Sequence, residues 1–394
     1  MHRLPPEVET RILAEATLRD GPFYLYDRTG IARVARSFLA VPWPDKSVHF
    51  ATMANDCPGV LAAVREAGLH VFVNSLGHLD VALGVGFTGA EIVFTASALD
   101  ERTMRRARET GATVNLDSPG QVAAWRALHK GAPFGIRCNI GELIAPRRTR
   151  GGYFLGRESR LGLTLPEIRA LEGSPDVEGL HLYVGTDILD LAHFEECYRH
   201  LAAFAPGFPG LRYLDFGGGF GVPADGETFD FEAFGRMAAG VMHEVSRAVG
   251  RGVRLVLEPG RIVAAEAGHF ACRVVDVKLR EGRQLLGVNA SAAQFPRPLL
   301  YPDTAWHPVS LLGGEGAGAG KGGAAGSGTG TDGGAEVPSD VCGCSTYSRD
   351  YLARDVHLPP AAVGDVVVFG HAGAYCASSH TSFLGFPRAP EILA

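Results

Sequence analysis

The segment SVHFATM, residues 47–53, is the first of eight short runs of β-branched and aromatic residues that decide the fold. Amphipathic stretches lie between these runs, and two of them, residues 57–68 and 99–111, end in a glycine suited to a helix C-cap. Eight strands alternating with helices over roughly 220 residues predict a (β/α)8 barrel. The other seven runs are HVFVNS (70–75), IVFTAS (92–97), TVNLDS (113–118), FGIRCN (134–139), GLHLYVG (179–185), YLDFGG (213–218) and RLVLEPG (254–260).

The pattern changes after residue 271, where β-rich text with few helical stretches predicts a second domain. We expect the barrel to cover residues 27–270 and a β-barrel or β-sandwich domain to combine residues 1–26 and 271–394, with PFYLYD (22–27) as its first strand. Residues 313–334 are mostly Gly, Ala, Ser and Thr, which predicts a flexible coil. This segment is either a lid or a tolerated surface insertion, and its composition favours the insertion.

Composition excludes several classes of function. A net charge of −6 and a pI near 6.2 argue against nucleic-acid and membrane surfaces. No apolar run reaches the roughly 20 residues of a membrane span, and the first residues lack the apolar core of a signal peptide. The seven cysteines are dispersed, which is typical of reduced thiols in a cytoplasmic protein. No metal site is predicted, because Cys342-Gly343-Cys344 has no matching second pair.

Three motifs suggest a site for a phosphorylated, nitrogen-containing ring. Gly217, Gly218 and Gly219 follow a strand, where backbone N–H groups of a glycine turn can approach a phosphate. A later strand leads into Glu258-Pro-Gly260-Arg261, which offers a carboxylate for a ring nitrogen and an arginine for a phosphate. Near the end of the chain, Tyr375 lies in a glycine-rich turn.

In order and spacing, these motifs resemble those of the fold-type III pyridoxal 5′-phosphate (PLP) enzymes, namely diaminopimelate, ornithine and arginine decarboxylases and, more distantly, alanine racemase. The segments 22–27, 92–101, 114–122, 297–309 and 387–393 resemble other parts of the same family. The resemblance implies an alanine racemase-like barrel with PLP as the cofactor. It also implies that Glu258 binds the pyridine nitrogen, while the phosphate is bound by Gly217, Gly218, Gly219, Gly260, Arg261, Tyr375 and Thr186.

The chain departs from this family at the residue on which the family's chemistry depends. The first barrel strand of the family runs approximately Tyr-Ala-Val-Lys-Ala-Asn, and its lysine holds PLP as a Schiff base. The matching segment here, HFATMAND (49–56), carries Met53, and a thioether can neither form an imine nor carry a proton. The remaining lysines are poor substitutes, so PLP is expected to bind without a covalent link. Without the resemblance, Met53 would be interpreted as core packing at a strand end. The lysines are Lys46, Lys130, Lys278 and Lys321.

Other positions of the resemblance also differ. Phe72 occupies the position of an aspartate that contacts the family's lysine. Tyr183 replaces a histidine that stacks on PLP, and Tyr183 could still stack there, while Thr186 retains a phosphate-binding hydroxyl. Residues 343–350 match the loop that the family contributes across its dimer interface, which carries a proton-donating cysteine. An ungapped match aligns Thr346 with that cysteine, whereas a shift of two residues aligns Cys344 with it. Both registers remain open.

The substrate contacts implied by the resemblance are Arg297, Tyr301 and Asp350. Arg297 would bind a carboxylate, although it could equally be a surface charge, and Asp350 would meet a distal amine or cap a following helix. His181, His307 and His371 lack ligand spacing and are interpreted as structural polar groups. The resemblance also implies a homodimer that shares its active sites.

Two classes of function remain. In the first, the protein is a divergent amino-acid decarboxylase, a carbon–carbon lyase that binds PLP and a small amino acid. In the second, it is a catalytically inactive homologue that binds a ligand or regulates an active relative. The preserved cofactor motifs slightly favour the first class.

Overall fold

The structure is a computed structural model that describes residues 4–144, 154–223, 227–313 and 336–394. The predicted glycine-rich insertion lies outside the described residues except for Gly313, and so does Lys321. The chain divides into two compact units, which we call the barrel unit, Thr29–Val263, and the β unit, Met1–Arg28 with Ala264–Ala394.

The chain begins with helix α1 (Pro6–Leu18) and strand β1 (Phe23–Tyr26), followed by helix α2 (Arg28–Leu39). The barrel unit then contains a closed barrel of eight parallel strands, which confirms the predicted (β/α)8 fold. The first and last of these strands pair with each other, with Val48 opposite Leu257, and this pairing closes the barrel. The barrel strands are β2 (Lys46–Ala51), β3 (His70–Val73), β4 (Ile92–Thr95), β5 (Thr113–Leu116), β6 (Phe134–Arg137), β7 (Val177–His181), β8 (Tyr213–Asp215) and β9 (Arg254–Leu257).

The helices between these strands begin and end where local sequence dictates. Asp100 accepts a hydrogen bond from the Thr103 N–H at 2.8 Å and begins the fifth helix, which ends at Gly111 in the left-handed region with φ 80°. Ser75 caps the fourth helix in the same way, accepting from the His78 N–H at 3.2 Å. The helices are α3 (Pro58–Glu66), α4 (Leu76–Val85), α5 (Glu101–Thr110), α6 (Pro119–Leu128), α7 (Leu165–Arg169), α8 (Leu191–Ala202), α9 (Phe231–Val249) and the short α10 (Arg261–Ala264).

A tyrosine ring fills the barrel interior between two glycines. A Cβ atom added to Gly179 would lie 1.9 Å from the ring of Tyr213, and one added to Gly135 would lie 2.2 Å from its hydroxyl oxygen. That hydroxyl donates to Asn115 Oδ1 at 2.7 Å, which satisfies a polar group in an otherwise apolar interior. The glycines on β6 and β7 therefore make room for one large side chain from β8.

The β unit contains an eight-stranded sheet around the long strand β10 (Gly268–Arg280). Strand β1 pairs antiparallel with β10 and parallel with the last strand, as expected for PFYLYD. The segment 351–358 forms a strand, so the interpretation of Asp350 as a helix cap is wrong. The remaining elements are β11 (Arg283–Val288), α11 (Arg297–Leu300), β12 (Val309–Leu312), β13 (Val337–Cys342), β14 (Tyr351–Leu358), β15 (Val366–Phe369) and β16 (Glu391–Leu393).

Within the described parts of the chain, no helix has both the length and the apolar character needed to cross a membrane.

We predict that Gly179→Ala lowers the free energy of unfolding by roughly 1–3 kcal/mol, because its methyl group would overlap the Tyr213 ring in a packed interior. Urea unfolding followed by circular dichroism measures the change. Gly240→Ala is the matched control, since Gly240 lies within α9 with no atom within 4 Å of an added Cβ, and this variant should gain about 0.5–1 kcal/mol. Equal stability of Gly179→Ala and the wild type would contradict the packing argument.

Candidate functional site

The predicted cofactor residues of the barrel unit meet at one face. Gly217–Gly219 follow β8, Glu258 and Gly260 follow β9, and Tyr183 lies two residues beyond the end of β7. All these positions lie beyond the carboxyl ends of parallel strands, which form one face of a (β/α)8 barrel. The structure thus brings together sequence motifs that are up to about 80 residues apart.

Two buried polar groups, His181 and Asp215, lie beside the predicted ring-binding carboxylate of Glu258. His181 Nε2 lies 3.2 Å from Glu258 Oε2, and both side chains are almost fully buried. Asp215, which is 0% exposed, accepts from the Gly217 N–H at 2.9 Å. One ligand atom from each of the three lies within 4.8 Å of the others. Interpreting His181 as a structural polar group therefore overlooks its contact with Glu258.

Burial determines the protonation of this cluster. It lowers the pKa of His181 to about 4, so its contact with Glu258 is a hydrogen bond of a neutral imidazole rather than an ion pair. Burial, followed by the neighbouring Glu258, raises the pKa of Asp215 well above its ordinary value, and burial raises that of Glu258 to about 7. If both carboxyls were ionised, Asp215 Oδ2 and Glu258 Oε1 would have no hydrogen-bond partner among the described residues. A proton held between them removes that cost.

The glycine triplet after β8 is required by close backbone approaches. Gly217 and Gly219 have φ values of 64° and 103°. Added Cβ atoms would lie 2.0 Å from Leu182 O at Gly217 and 2.4 Å from Glu258 O at Gly218. Only glycine allows this turn to pass so closely between the segments that follow β7 and β9. Turns of this kind present backbone N–H groups to anions.

Polar and aromatic groups lie beside the triplet. The Tyr183 hydroxyl is hydrogen-bonded to Thr186 Oγ1 at 3.1 Å, and the guanidinium of Arg137 lies 5.8 Å from the Tyr183 ring. Asp187, the residue after Thr186, forms an ion pair with Arg261. This ion pair holds the Arg261 guanidinium beside the segment that carries Thr186. A buried carboxylate, a glycine turn and a nearby arginine fit the ring nitrogen and phosphate of PLP.

Met53 lies at this site and does not pack in the core. Its side chain is 41% exposed, so the core-packing interpretation is wrong. The Ala51 N–H donates to Pro259 O at 3.1 Å, and a Cβ on Gly260 would lie 3.0 Å from that of Ala51. The turn that carries Met53 is therefore packed against the segment that carries Glu258. In contrast, Phe72 is 8% exposed and belongs to the apolar barrel interior.

Neither lysine of the barrel unit lies at this face. Lys46 begins β2, at the opposite end of the strand from Met53, and its Nζ donates to Trp43 O at 3.1 Å. Lys130 lies in the segment before β6, which is also on the amino side of the barrel. Lys278 belongs to the β unit, where it pairs with Asp276 at 3.2 Å.

In the β unit, Arg297 is buried and its Nη1 has no hydrogen-bond partner among the described residues. Its guanidinium lies 5.8 Å from the ring of Tyr301, which is 41% exposed, and burial lowers its pKa. A buried guanidinium with an unsatisfied donor suits an anionic partner such as a carboxylate. Tyr375 has a left-handed backbone, with φ 57°.

The loop 343–350 is organised around Asp350. This buried carboxylate accepts hydrogen bonds from the N–H groups of Ala292 at 2.6 Å and Ser345 at 3.0 Å. Cys344 and Thr346 are both exposed on this loop, and burial together with Asp350 raises the pKa of the Cys344 thiol. The structure thus shows an internal bonding role for Asp350, while both registers of the loop residue remain predictions.

Several polar residues of the barrel face were not identified from the sequence. Asp215 lies two residues before Gly217, the first residue of the glycine triplet, and His181 lies two positions before Tyr183, the spacing that places side chains on one side of a strand. The sequence positions of Asp215 and His181 could therefore have indicated that they belong to the site. No sequence pattern indicates the pairs of Arg137 with Asp117, at 3.9 Å, and of Asn74 with His78, at 2.9 Å.

We predict that stability depends on pH through Glu258. Because the pKa of Glu258 is higher in the folded protein, its protonation stabilises the fold by roughly 3 kcal/mol. This stabilisation is complete below about pH 4.5 and is lost as the pH rises through about 7. The unfolding free energy of the wild type minus that of Glu258→Gln should therefore fall across this range. His181 acts in the opposite direction, since its low pKa costs stability as pH falls from 6.5 towards 4, but it is present in both proteins.

Urea titrations at pH 4.5, 6 and 8 measure this difference. Glu244→Gln removes a half-exposed carboxylate on α9 that pairs with Arg199, and it serves as the matched control. Parallel profiles for the wild type and Glu258→Gln would show that Glu258 is not protonated on folding.

Comparison with known proteins places the chain in a family. The family model described as "Pyridoxal-dependent decarboxylase, pyridoxal binding domain" matches residues 31–265. The chain is 31% identical to a diaminopimelate decarboxylase of Deinococcus radiodurans over 97% of this chain and 92% of the relative. It is 30% identical to the corresponding enzyme of Streptomyces coelicolor over 99% of this chain and 88% of the relative.

Solved structures agree with the sequence relatives. A crystal structure of diaminopimelate decarboxylase matches with a TM-score of 0.86 and 25% identity over 98% of this chain and 91% of that one. A lysine/ornithine decarboxylase of Vibrio vulnificus, 19% identical, shares the fold with a TM-score of 0.81 over 100% of this chain and 98% of its own. The family implies PLP as the cofactor, and the buried carboxylate and glycine turn described above suit that cofactor. The chain belongs to the family of pyridoxal-dependent decarboxylases.

Proposed function

We propose that this protein is a divergent amino-acid decarboxylase that binds PLP without a covalent link to the chain. The observation that supports the proposal is that a buried carboxylate cluster and a glycine turn lie at the same barrel face as Met53, which the resemblance aligns with the family's lysine. Glu258, its buried partners and the glycine turn are all present in the barrel unit. A site of this kind, with two buried carboxyls, is costly to maintain unless a ligand uses it.

When bound, PLP supplies an electron sink that weakens bonds at the α-carbon of an amino acid. The chain's own residues do the remaining work. Glu258 would hold a proton at the ring nitrogen, with Asp215 and His181 fixing its orientation. Gly217–Gly219, Thr186 and Arg261 would hold the phosphate, and the exposed edge of Tyr183 would lie beside the ring. Arg297 would hold a substrate carboxylate.

The loss of lysine changes how the cofactor is retained. Affinity would rest on phosphate contacts and on Glu258 alone, so we expect PLP to exchange with solution more freely than a covalently held cofactor. Exchange of substrates and products would also be slower, because the lysine that normally displaces the product is absent.

We predict that Met53→Lys produces a yellow protein with the visible absorption band of a PLP–lysine Schiff base. The reason is that residue 53 lies beside the segment that carries Glu258, and its side chain is exposed at the barrel face. Absorption spectroscopy after PLP addition and dialysis measures the band. Met53→Leu is the matched control and should stay colourless after dialysis.

Wild-type protein provides the second half of this experiment. If borohydride locks PLP onto the wild type, the noncovalent proposal is wrong. If the wild type binds no PLP, the glycine turn must hold another phosphorylated ligand. A colourless Met53→Lys protein would show that Phe72 and Tyr183 close the ring site, and the decarboxylase proposal should then be abandoned.

The second candidate is a catalytically inactive homologue that binds a ligand or regulates an active relative. One observation favours it specifically. Phe72, which the resemblance aligns with the family's aspartate, is buried among apolar side chains. On that alignment, the lysine and its counter-charge would be absent together. Losing both avoids a buried, unpaired carboxylate and leaves a stable barrel without the family's proton-transfer groups. In the loop, Cys344 at the ring would support chemistry, whereas Thr346 would support inactivity.

A decarboxylation screen separates the two candidates. With PLP present, we expect carbon dioxide release from one class among basic, acidic and carrier-linked amino acids. Asp350 permits a distal amine, while the neighbouring Arg349 could select an acidic group. Arg297→Met should lower the rate at least about tenfold by removing the carboxylate contact, and Arg297→Lys should lose less. No release from any class would make the inactive homologue the better account.

The homodimer implied by the family remains a prediction. Light scattering at micromolar concentration would test it, and a mass equal to one chain would contradict the contribution of loop 343–350 to a partner's site.

A further inference from the structure

Three residues at the barrel face form a hydrogen-bonded series around the position of the missing lysine. Asn74 follows β3 directly, and its Nδ2 lies 3.6 Å from Met53 Sδ. The Oδ1 of the same amide lies 2.9 Å from Nδ1 of His78, in the first turn of α4. Neither Asn74 nor His78 belongs to the cofactor residues assigned above.

Met53 determines the orientation of the Asn74 amide. A thioether sulfur accepts a hydrogen bond weakly and donates none, so the NH2 group faces it and the carbonyl oxygen faces away. The reversed amide would place its oxygen against the sulfur, two acceptors in contact. The chemistry of residue 53 therefore favours this orientation of the amide.

The amide orientation in turn determines the tautomer of His78. An amide oxygen can only accept, so Nδ1 of His78 must donate and carry the ring proton. In the neutral ring, Nε2 is then left with its lone pair. Burial lowers the pKa of His78, and the nearby Asp56 raises it by a smaller amount. Because the net pKa is lowered, the ring is neutral at neutral pH.

We propose that the hydrogen bonds from Asn74 to Met53 and from His78 to Asn74, which we call the relay, fix the tautomer of His78 so that its Nε2 can act as the base of this site. Nε2 takes a proton from the ammonium group of an incoming amino acid, which yields a neutral amine and an imidazolium. PLP, when bound, would supply an aldehyde with which only the neutral amine could condense, with release of one water, and the imidazolium of His78 would then return its proton to solvent.

This inference deepens the proposed function and rests on it. A lysine Schiff base would normally activate the aldehyde towards an amine, and that activation is absent here. A free aldehyde requires a deprotonated amine, and most amino acids carry an ammonium group at neutral pH. A neutral imidazole is matched to that task at neutral pH.

The first test determines the tautomer and needs no cofactor. In ¹⁵N NMR of the wild-type protein, His78 should show a protonated Nδ1 and an unprotonated Nε2. In Met53→Lys, the ammonium can only donate, so the amide should turn over and His78 should switch to the Nε2–H form. Asn74→Asp keeps an acceptor opposite Nδ1 and should restore the Nδ1–H form in that background. An Nε2–H tautomer in the wild type would overturn the relay.

The second test measures the proton-transfer step. Stopped-flow absorption follows condensation of PLP-loaded wild-type protein with an amino acid, and His78→Gln should slow it by roughly 100-fold without changing PLP affinity. Equal condensation rates would overturn the role of Nε2. Failure of the wild type to bind PLP would instead refute the proposed function, and the NMR test would still decide the relay.

Discussion

The pairing of β2 with β9 is the constraint on which the site depends. It aligns Lys46, Ser47 and Val48 with Leu255, Val256 and Leu257 and closes the ring of strands. Closure brings the first strand's end against the last strand's end, where the Ala51 N–H donates to Pro259 O. Two segments about 200 residues apart in sequence thereby become one surface. The chemistry of residue 53 then bears directly on the residues around Glu258.

The rim of the barrel is divided into two parts with different character. The segments after β7, β8 and β9 carry the groups that match a ring nitrogen and a phosphate. Met53 follows β2, Phe72 lies within β3, and Asn74 and His78 follow β3. Because β2 shares hydrogen-bond ladders with both β3 and β9, a change at residue 53 has its nearest consequences on the segments that follow these two strands.

The fold and the cofactor motifs could be predicted because strand order and glycine spacing are local in sequence. Gly217–Gly219 and Glu258 were found in this way, and their positions follow from the barrel rule alone. The partners of Glu258 were not found, since the contact with His181 joins positions 77 residues apart and depends on strand register. Exposure of Met53 was also unpredictable, because a methionine next to a strand usually packs inside. The prediction of a helix after Asp350 was wrong because residues 351–358 pair with β13, and this pairing overrides their local propensity.

Tyr213 has a consequence for the traffic of water and protons. Its ring occupies the space above Gly135 and Gly179, so the barrel is a packed core rather than a pore. A proton held between Asp215 and Glu258 is therefore separated by packed side chains from the amino-terminal end of the barrel. If a ligand covered the carboxyl end as well, the pair would have no open route to water, and its charge would be set at the moment of binding.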